Sequence, residues 1–579
     1  MARYDQAPVV SIQGRDVEVW QGYRAIREEL AKRIAHRTKT VLTIECYPAV
    51  RRDEVLAGLS ALPLALVVDA EKAALDPAEI TDKMSPYLTE DRVFGYMSPL
   101  NIHDVYDVEK LDQLRQRVDE VQSGLVIVIG FGASLVTKGD VLVYADLARW
   151  EIQQRYRSGE FGNWRAANQK EDMLRKYKRG YFVEWRMADR LKRSLLGEAD
   201  YYLDTNVRND PKMLTCAALF DGLRQTVARP FRLVPYFDPG VWGGHWLKEN
   251  IGLTPKDAPY AWGFDGVPEE NSLYFQYGDI RVELPSINLV FFEPKSLLGE
   301  KVYARFGAEF PIRFDFLDTM GGQNLSLQVH PSTDYIKETF GMHYTQDESY
   351  YMLDAGEDAV VYLGLKAGVE PEAMLEDLEL AQQGEQSFPA EAYVNVFAAK
   401  AHDHFLIPAG TVHCSGANSM VLEISATPYI FTFKLWDWDR LGLDGKPRPI
   451  HLAHGRQNIA WDRTTDWVKD NLVSRVEVVA EGEGWREERT GLHALQFIET
   501  RRHWFTQPVL HHTEDVVNVL NLVAGDEVVV ESPTGAFAPF VVHYAETFII
   551  PAAVGAYTVR PTSSALQKPY ATIKAFVRT

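Results

Sequence analysis

The chain of 579 residues carries a formal net charge of −20, with 46% hydrophobic and 25% charged residues. These proportions are typical of a globular protein, and the length allows about three or four domains of about 150 residues each. The acidic balance excludes the broad positive surface that neutralises nucleic-acid phosphates or an anionic bilayer. We therefore expect neither nucleic acid nor a membrane as a partner.

Cysteine usage and the start of the chain predict a reducing compartment. The three cysteines, Cys46, Cys216 and Cys414, form no CxxC pair, which argues against a disulfide framework and against a thiolate zinc site. The first residues, "MARYDQAPVV", lack the basic and apolar regions of a secretory signal. No apolar stretch approaches the ~20 residues that cross a bilayer. These features predict a cytoplasmic protein.

The first 225 residues alternate helical and strand patterns. Charged segments with helical spacing occur at 23–37, 107–121 and 146–156, and short apolar runs occur at 40–48, 64–70, 125–134, 140–147 and 198–206. Buried strands that alternate with helices indicate βαβ units. We therefore predict an α/β domain with a mainly parallel sheet over residues 1–225.

One segment of this domain, "VLTIECYPAVRRDEV" (41–55), resembles the strand, turn and helix start of a nucleoside-kinase-like P-loop fold. Its turn lacks the Gly-Lys-Ser/Thr end that holds phosphates, so the resemblance implies a degenerate domain without ATP-dependent activity. A sugar-phosphate sensor and an assembly domain are the alternatives. Arg51 and Arg52 either hold an anion at the helix start or form a solvated pair of charges. "GFGAS" (130–134) is a further Gly-rich turn after a strand.

From about residue 226 the pattern becomes one of short strands separated by Gly, Pro and Asn, which is typical of an all-β barrel or sandwich. A helical insertion is expected around 370–384, and a second β region begins near 471. The predicted strands lie in "INLVFFEP", "FPIRFDFLDT", "LSLQVHP", "SYYMLDAG", "DAVVYLGL", "HFLIPAGTVH" and "SMVLEISA".

Two stretches repeat in outline. "HFLIPAGTVHCSGANS" (404–419) and "TFIIPAAVGAYTVRPT" (547–562) each set an aromatic-aliphatic-aliphatic-Pro strand before a Gly-containing turn. Only the first carries a histidine, His413, after that turn. The repeat suggests two related barrels, of which one holds a metal.

The chemistry-bearing residues lie in the first β region. Ser326, Gln328 and His330 are two apart, so a strand would place them on one face. Glu348 precedes the next apolar strand, and His413 follows a Pro-Ala-Gly turn. Two imidazoles, a carboxylate and an amide oxygen make a set suited to zinc. The alternative for each residue alone is a packed or solvated polar side chain.

The order of these motifs resembles class I mannose-6-phosphate isomerase, a zinc enzyme of the cupin superfamily. The resemblance runs from "VWGGHWL" (241–247) through "LSLQVHP" and "IPAGTVH" to "KLWDWDRLGLDGKPRPIH" (434–451). It implies a metal-binding cupin domain at 226–470 and a second cupin-like domain at 471–579. It also implies one Zn²⁺ per chain, and it places Ser326 and Glu423 in the sugar site. The zinc ligands that it implies are Gln328, His330, Glu348 and His413.

The sequence departs from this family at two positions. The family commonly has a lysine two residues before the zinc-binding glutamate, where this chain has Gln346. It commonly has an arginine three residues before the Asp-Trp pair, where this chain has Lys434. Because Arg and Lys are not equivalent at an anion site, Gln346 and Lys434 are substrate-binding candidates that bear on phosphate preference.

The resemblance implies an aldose–ketose isomerase that interconverts mannose 6-phosphate and fructose 6-phosphate through an enediol or enediolate. Glu423 and Lys434 are the catalytic candidates, with a hydrogen-bonded strand glutamate and a surface lysine as the alternatives. An isomerase of a different sugar and a non-catalytic sugar-binding regulator remain open. The expected partner is a small sugar or sugar phosphate, and the sequence leaves open a homo-oligomer.

Overall fold

The computed structural model describes residues 4–255, 257–426, 429, 431–443, 445, 448–491, 493–562 and 569–579. Asp444, Lys446 and Pro447 of the segment 434–451 therefore lie outside the described residues. Two compact units are present. One, the α/β unit, comprises Val9–Gln225 and Ser272–Phe292, and the other, the β unit, comprises residues 4–8 with Thr226–Asn271 and Glu293–Thr579.

The strands of the described residues are numbered in chain order. They are β1 (Val9–Ser11), β2 (Val19–Gln21), β3 (Lys39–Cys46), β4 (Leu64–Asp69), β5 (Gly124–Gly130), β6 (Val141–Asp146), β7 (Tyr201–Asp204), β8 (Lys212–Thr215), β9 (Tyr236–Gly244), β10 (Tyr260–Gly266), β11 (Ser272–Tyr277), β12 (Ile280–Pro285), β13 (Arg313–Asp318), β14 (Leu327–Val329), β15 (Glu348–Ala355), β16 (Val360–Leu365), β17 (Val394–Ala398), β18 (His404–Ile407), β19 (His413–Ser415), β20 (Ser419–Ser425), β21 (Phe433–Trp436), β22 (Glu477–Gly482), β23 (Trp485–Gly491), β24 (Ile498–Phe505), β25 (Val509–His512), β26 (Asn518–Ala524), β27 (Glu527–Glu531), β28 (Phe540–His543), β29 (Thr547–Ile550), β30 (Ala556–Pro561) and β31 (Tyr570–Val577).

The α-helices are numbered in the same way. They are α1 (Gly22–Ile34), α2 (Arg52–Leu59), α3 (Pro77–Leu88), α4 (Val108–Glu120), α5 (Ala133–Val136), α6 (Arg149–Arg157), α7 (Met173–Arg179), α8 (Trp185–Leu195), α9 (Cys216–Val227), α10 (Trp246–Ile251), α11 (Ile287–Phe292), α12 (Pro294–Leu298), α13 (Glu300–Phe306), α14 (Thr333–Phe340), α15 (Pro371–Gln383), α16 (Ala390–Tyr393), α17 (Leu452–Gly455) and α18 (Thr465–Asn471). None of the described helices combines the length and the apolar character that a bilayer crossing requires.

The α/β unit is built on a sheet with the strand order β2-β8-β7-β6-β3-β5-β4. The pairs β4–β5, β5–β3, β3–β6 and β6–β7 are parallel, whereas β8 runs antiparallel to β7 and to β2. Strands β3, β5 and β6 are buried along nearly their whole length. That is why they read in the sequence as continuous apolar runs.

A second, three-stranded sheet of this unit has the order β1-β11-β12. Its strands β11 and β12 come from the part of the chain where the composition predicts the β region. The neighbouring segment "INLVFFEP" was predicted as a strand, and this was wrong, because Ile287–Phe292 forms α11. A short apolar run does not distinguish a buried strand from a buried helix.

The β unit contains two modules, each made of two antiparallel sheets. In the first β-module the sheets have the orders β18-β15-β20-β13-β10-β9 and β17-β16-β19-β14-β21. In the second β-module the orders are β29-β26-β31-β24-β23-β22 and β28-β27-β30-β25. The ten strands β22 to β31, taken in chain order, occupy the same sheet positions in the second module as β9, β10 and β13 to β20 occupy in the first. Strand β21 has no counterpart among the described strands of the second module.

The first sheet of the second β-module packs its inner face against a large apolar core. This core is made of aliphatic and aromatic side chains that are almost completely buried, among them Leu520, Phe548, Ile550 and Tyr557. Several buried side chains of the first β-module are charged or polar, and these form the site described next.

Candidate metal centre

Three fully buried side chains from the two sheets of the first β-module converge. His330 Nε2 lies 2.9 Å from Glu348 Oε2, and His413 Nε2 lies 2.8 Å from Glu348 Oε1. Within the described part of the chain, these three residues are the only group of three or more His, Cys, Asp or Glu whose ligand atoms all lie within 4.8 Å of one another. Their elements position them: Glu348 begins β15, His413 begins β19, and His330 directly follows β14.

Hydrogen bonds to main-chain carbonyls fix both imidazole rings. His330 Nδ1 lies 2.9 Å from the carbonyl oxygen of Phe431, and His413 Nδ1 lies 2.8 Å from that of Thr411. A carbonyl oxygen only accepts, so each Nδ1 carries a proton and each ring turns its Nε2 towards Glu348. Lone pairs that face a carboxylate at this distance require a proton or a cation between them.

The residues present fit a bound metal cation. His330 Nε2 and Glu348 Oε1 are buried and make no hydrogen bond, although buried polar atoms nearly always have a partner. Imidazole nitrogens held through carbonyls at the opposite ring atom, together with a carboxylate, are a typical zinc donor set. Burial opposes ionisation of Glu348, but the facing His330 and His413 hold its pKa well below the usual range.

Gln328, the fourth predicted ligand, lies beside His413. The two residues are directly opposite each other in the β14–β19 pair, and Gln328 Nε2 lies 3.2 Å from His413 Nε2. The amide oxygen accepts a hydrogen bond of 3.2 Å from Ser326 Oγ. Rotation of the amide by half a turn would exchange its nitrogen and oxygen, two atoms that are assigned from the hydrogen-bond network alone. Ser326 and Gln328 are both buried.

Gln346 supports the carboxylate from behind. Its Nε2 donates a 3.0 Å hydrogen bond to Glu348 Oε2, and its Oε1 accepts a 2.8 Å hydrogen bond from the backbone N–H of Phe431. One residue of the chain, Phe431, therefore orients two side chains of the site: His330 through its carbonyl and Glu348 through Gln346. Contact between Gln346 and a sugar stays a prediction.

The turn that presents His413 is held by Arg463. Its Nη1 donates hydrogen bonds to the carbonyls of Pro408 and Ala409, at 2.7 and 2.6 Å, and to Thr411 Oγ1 at 2.6 Å. Asp347 Oδ1 accepts a 2.8 Å bond from the backbone N–H of Ala409. These contacts fix the "PAGT" turn and hence the carbonyl of Thr411 that orients His413.

A buried charged group lies next to the convergence point on the same sheet. Glu423 pairs directly with Tyr350 on β15 and with Asp315 on β13, two residues along from the Glu348–Ser425 pair. Side chains two residues apart on a strand share a face, so Glu423 lies on the same face as Glu348. Burial raises the pKa of Glu423 well above its usual range, and the neighbouring Asp315 and Glu348 add to this effect.

Arg313 and Asp315 are functional-site neighbours that the sequence argument missed. Arg313 Nε lies 3.1 Å from Asp315 Oδ1, and both side chains are buried. Burial raises the pKa of Asp315 to about 6, against the lowering effect of Arg313. The signal was present in "FPIRFDFLDT": charged residues at alternate positions of an otherwise apolar strand indicate an ionic row on one face.

Lys434 belongs to the same row of strands as the predicted ligands. It pairs directly with Gln328 across β14–β21, and Gln328 in turn pairs with His413. Directly opposite residues of antiparallel strands project to the same face of a sheet. Lys434 therefore lies on the face of the sheet that carries Gln328 and His413. Its backbone N–H lies 3.4 Å from His451 Nδ1.

The two arginines of the α/β unit are ion-paired. Arg51 Nε lies 2.7 Å from Glu160 Oε1, and Arg52 Nη1 lies 3.0 Å from Asp69 and 3.1 Å from Glu71. Carboxylates of the same unit therefore pair with both guanidinium groups, and the two arginines are not a solvated pair of charges. In the "GFGAS" turn, the backbone N–H groups of Gly132 and Ser134 donate 2.6 and 2.8 Å hydrogen bonds to the carboxylate of Glu45.

Comparison with known proteins gives two results for different parts of the chain. Residues 22–228 match a family model described as a domain of unknown function (DUF8485). This match does not support the P-loop resemblance, which stays a prediction.

The remaining similarity is to mannose-6-phosphate isomerases and covers about 40% of the chain. "Mannose-6-phosphate isomerase ManA" of Bacillus subtilis is 30% identical over 229 residues, which is 38% of this chain and 65% of that protein. "Putative mannose-6-phosphate isomerase YvyI" of the same organism is 24% identical over 251 residues, 42% of this chain and 73% of that protein. The crystal structure of the mannose 6-phosphate isomerase from Bacillus subtilis aligns with a TM-score of 0.48 and 17% identity over 60% of this chain and 99% of that one.

Proposed function

We propose that the chain is a zinc-dependent aldose–ketose isomerase that interconverts mannose 6-phosphate and fructose 6-phosphate through an enediol or enediolate. The observation that carries the proposal is the convergence of His330, Glu348 and His413, with both imidazoles fixed through Nδ1 and with buried donor atoms left unpartnered. The similarity to curated isomerases supports the reaction class.

His330, Glu348 and His413 would hold the ion, with Gln328 as the fourth ligand after rotation of its amide. When bound, zinc would polarise the carbonyl of the sugar and stabilise the negative charge that develops on its oxygen. Gln346 would keep the carboxylate of Glu348 oriented, since its Nε2 donates a 3.0 Å hydrogen bond to Glu348 Oε2.

Glu423 is the residue proposed to move a proton between C1 and C2. Its carboxyl group is buried and its pKa is raised well above the usual range by burial and by Asp315 and Glu348. A buried carboxyl group with a raised pKa is suited to general acid–base catalysis. Lys434 would bind an oxygen of the sugar or its phosphate from the adjacent strand, and Ser326 would bind a hydroxyl group next to Gln328.

The test is a metal assay combined with isomerisation assays on the purified full chain. We expect about one zinc per chain and conversion of mannose 6-phosphate to fructose 6-phosphate, with exchange of the C2 proton for solvent deuterium. Zinc-loaded protein that turns over no aldose or ketose would contradict the proposal. Retained sugar binding without proton exchange at C2 would instead favour the non-catalytic regulator.

A second candidate is an isomerase of an unphosphorylated or otherwise different sugar. The observation that favours it is the pair of departures at Gln346 and Lys434, which leaves one lysine where the resembling family commonly has a lysine and an arginine. Lys434→Arg is then expected to raise kcat/KM for mannose 6-phosphate relative to free mannose. An unchanged ratio would remove the basis for this candidate.

A further inference from the structure

A cavity of about 510 Å³ lies in the α/β unit, and its described lining includes no residue of the metal centre. It opens at the carboxyl ends of three adjacent parallel strands: Cys46 ends β3, Glu71 follows β4, and Phe131 follows β5. In open α/β sheets, ligands bind outside the carboxyl ends of the strands. The volume also lies within the range of small-molecule sites, about 300–1,000 Å³.

The far wall of the cavity is the segment 158–172 between α6 and α7, which contributes Glu160 to Arg165, Ala167 and Gln169 to the lining. Connections of about 15 residues without helix or strand are uncommon and are often binding loops. Arg165 and Ala167 have positive φ, at 59° and 50°, each at a cost on the order of 1 kcal/mol.

Buried hydrogen bonds hold this wall in place. Asn163 Nδ2 donates to the carbonyl of Lys176 at 3.0 Å and to Glu184 Oε2 at 3.1 Å. Lys176 Nζ donates to the carbonyl of Gln169 at 2.9 Å. The strained backbone is therefore kept by its surroundings, as expected where a loop is shaped for a ligand.

Aromatic rings form much of the lining. Phe131, Tyr156, Phe161 and Trp164 all face the cavity, and Trp164 packs edge-on against Phe131 with ring centroids 5.3 Å apart. One donor in the lining lacks a partner, because Arg165 Nε is buried and makes no hydrogen bond. The indole of Trp164 faces the carboxylate of Glu71. A ligand that offers an apolar ring face and oxygen acceptors would satisfy both features.

The charges of the lining cancel, which distinguishes this cavity from a phosphate site. Arg52 is paired with Glu71, and Glu160 is paired with Arg51. Arg165 is the one further cation among the described lining residues, which include no lysine. The N–H groups of Gly132 and Ser134, the nearest backbone nest, are filled by the carboxylate of Glu45. A phosphate would therefore meet carboxylates without a free cluster of donors.

We propose that this cavity binds an uncharged, ring-shaped ligand with several hydroxyl groups, a chemistry shared by free monosaccharides and nucleosides. The ring packs against Phe161 and Trp164, one of its oxygens accepts from Arg165 Nε, and its hydroxyl groups donate to the carboxylates of Glu71 and Glu160. No residue of the metal centre takes part.

The test is a calorimetric titration of the full chain with panels of free hexoses and pentoses, of nucleosides, and of the corresponding phosphates. The His330→Ala background removes sugar binding at the metal centre, and wild-type protein treated with a chelator gives a second background if that variant does not fold. We expect one saturable site for at least one uncharged ligand, with the phosphorylated form at least tenfold weaker. A preference for sugars identifies a monosaccharide site, and a preference for nucleosides identifies a nucleoside site.

Variants tie the binding to the cavity. Glu71→Gln and Phe161→Ala are each expected to weaken it about tenfold or more, whereas the exposed Glu90→Gln, with the same loss of charge, leaves it unchanged. Phe161 is only partly buried, so this variant keeps the test available if Glu71→Gln does not fold. The proposal is overturned if no uncharged ligand binds, if both cavity variants bind like the wild type, or if phosphorylated ligands bind more tightly.

Discussion

The first and second β-modules share one strand order but differ at a few inward positions. Glu348 begins β15 opposite Ile407, and Asn518 begins β26 opposite Ile550, so the two residues correspond. In the first module, Gln328 and His413 lie opposite each other on β14 and β19. The corresponding strands of the second module, β25 and β30, place His511 opposite Tyr557. There the hydroxyl of Tyr557 donates a 3.0 Å hydrogen bond to Asn518 Oδ1. One architecture therefore holds a charged donor set in one copy and a neutral, internally bonded set in the other.

The ionisable residues next to these positions are acidic in the first module and basic in the second. Glu423 lies opposite Tyr350 and Asp315, and at the corresponding position Lys574 lies opposite Leu520 and Arg501. Burial and carboxylates raise the pKa of Glu423, whereas burial lowers the pKa of Lys574 to about 8. The fold thus tolerates either a buried acidic or a buried basic residue here, and the chemistry of each module follows from a handful of side chains rather than from the strand order.

The largest difference between the modules is expected when Glu348 of the first module and its counterpart Asn518 of the second are each replaced by alanine in separate variants. Glu348→Ala deletes the carboxylate that both His330 and His413 face, so bound metal and isomerase activity should fall by about 100-fold or more. The matched variant Asn518→Ala should keep both. Metal content per chain and initial rates provide the measurement, and equal losses in the two variants would show that the modules do not differ in metal binding.

Gln346→Ala should weaken metal binding by about 10- to 100-fold, the usual cost of losing a group that orients a ligand. The physical reason is that Glu348 loses its 3.0 Å hydrogen bond from Gln346 Nε2. Competition with a fluorescent chelator measures the affinity. At saturating zinc, kcat should recover, whereas a kcat that stays low would point to direct contact with the substrate.

Lys434→Met should lower kcat/KM by about tenfold while metal content stays unchanged, because Lys434 lies in register with Gln328 on β21, a strand without a counterpart among the described strands of the second module. Rates and metal content are measured on the same preparation, and Lys434→Arg is the charge-conserving control. A normal rate for the Met variant would contradict a role in catalysis and favour the alternative that Lys434 is a surface lysine.

Lys574→Met should stabilise the protein at pH 7 by about 2 kcal/mol, because an apolar side chain replaces a buried charge. The folded-state pKa of about 8 lies below the usual 10.5, so the unfolded chain binds more protons between these values. Wild-type stability therefore rises from about pH 8 to about pH 10.5 relative to the variant. Urea unfolding of both proteins across this range measures the difference, and parallel curves would show that Lys574 is not responsible.

Most residues of the candidate metal centre could be predicted from the sequence, but the arrangement of the strands around them could not. The motif order around His330, Glu348 and His413 led to residues that the structure brings together, because short strands with fixed turns place them in register. The rows that contain Asp315 and Glu423 depend on pairing between strands about 100 residues apart, which no local pattern records. The same holds for β11 and β12, whose sheet belongs to the α/β unit although their composition resembles the β region around them.

The division of the chain between its two units has a consequence for synthesis. The chain passes from one unit to the other after Pro8, Gln225, Asn271 and Phe292. Near the start, the backbone N–H of Asp5 bonds Glu546 Oε1 at 2.6 Å, and its carbonyl accepts from Arg232 at 3.0 Å. Because chains emerge from the ribosome amino end first, the α/β unit lacks two strands until residue 292 has been made, and residues 4–8 wait for partners made near the end. A gene cut between residues 225 and 226 would therefore leave neither unit intact.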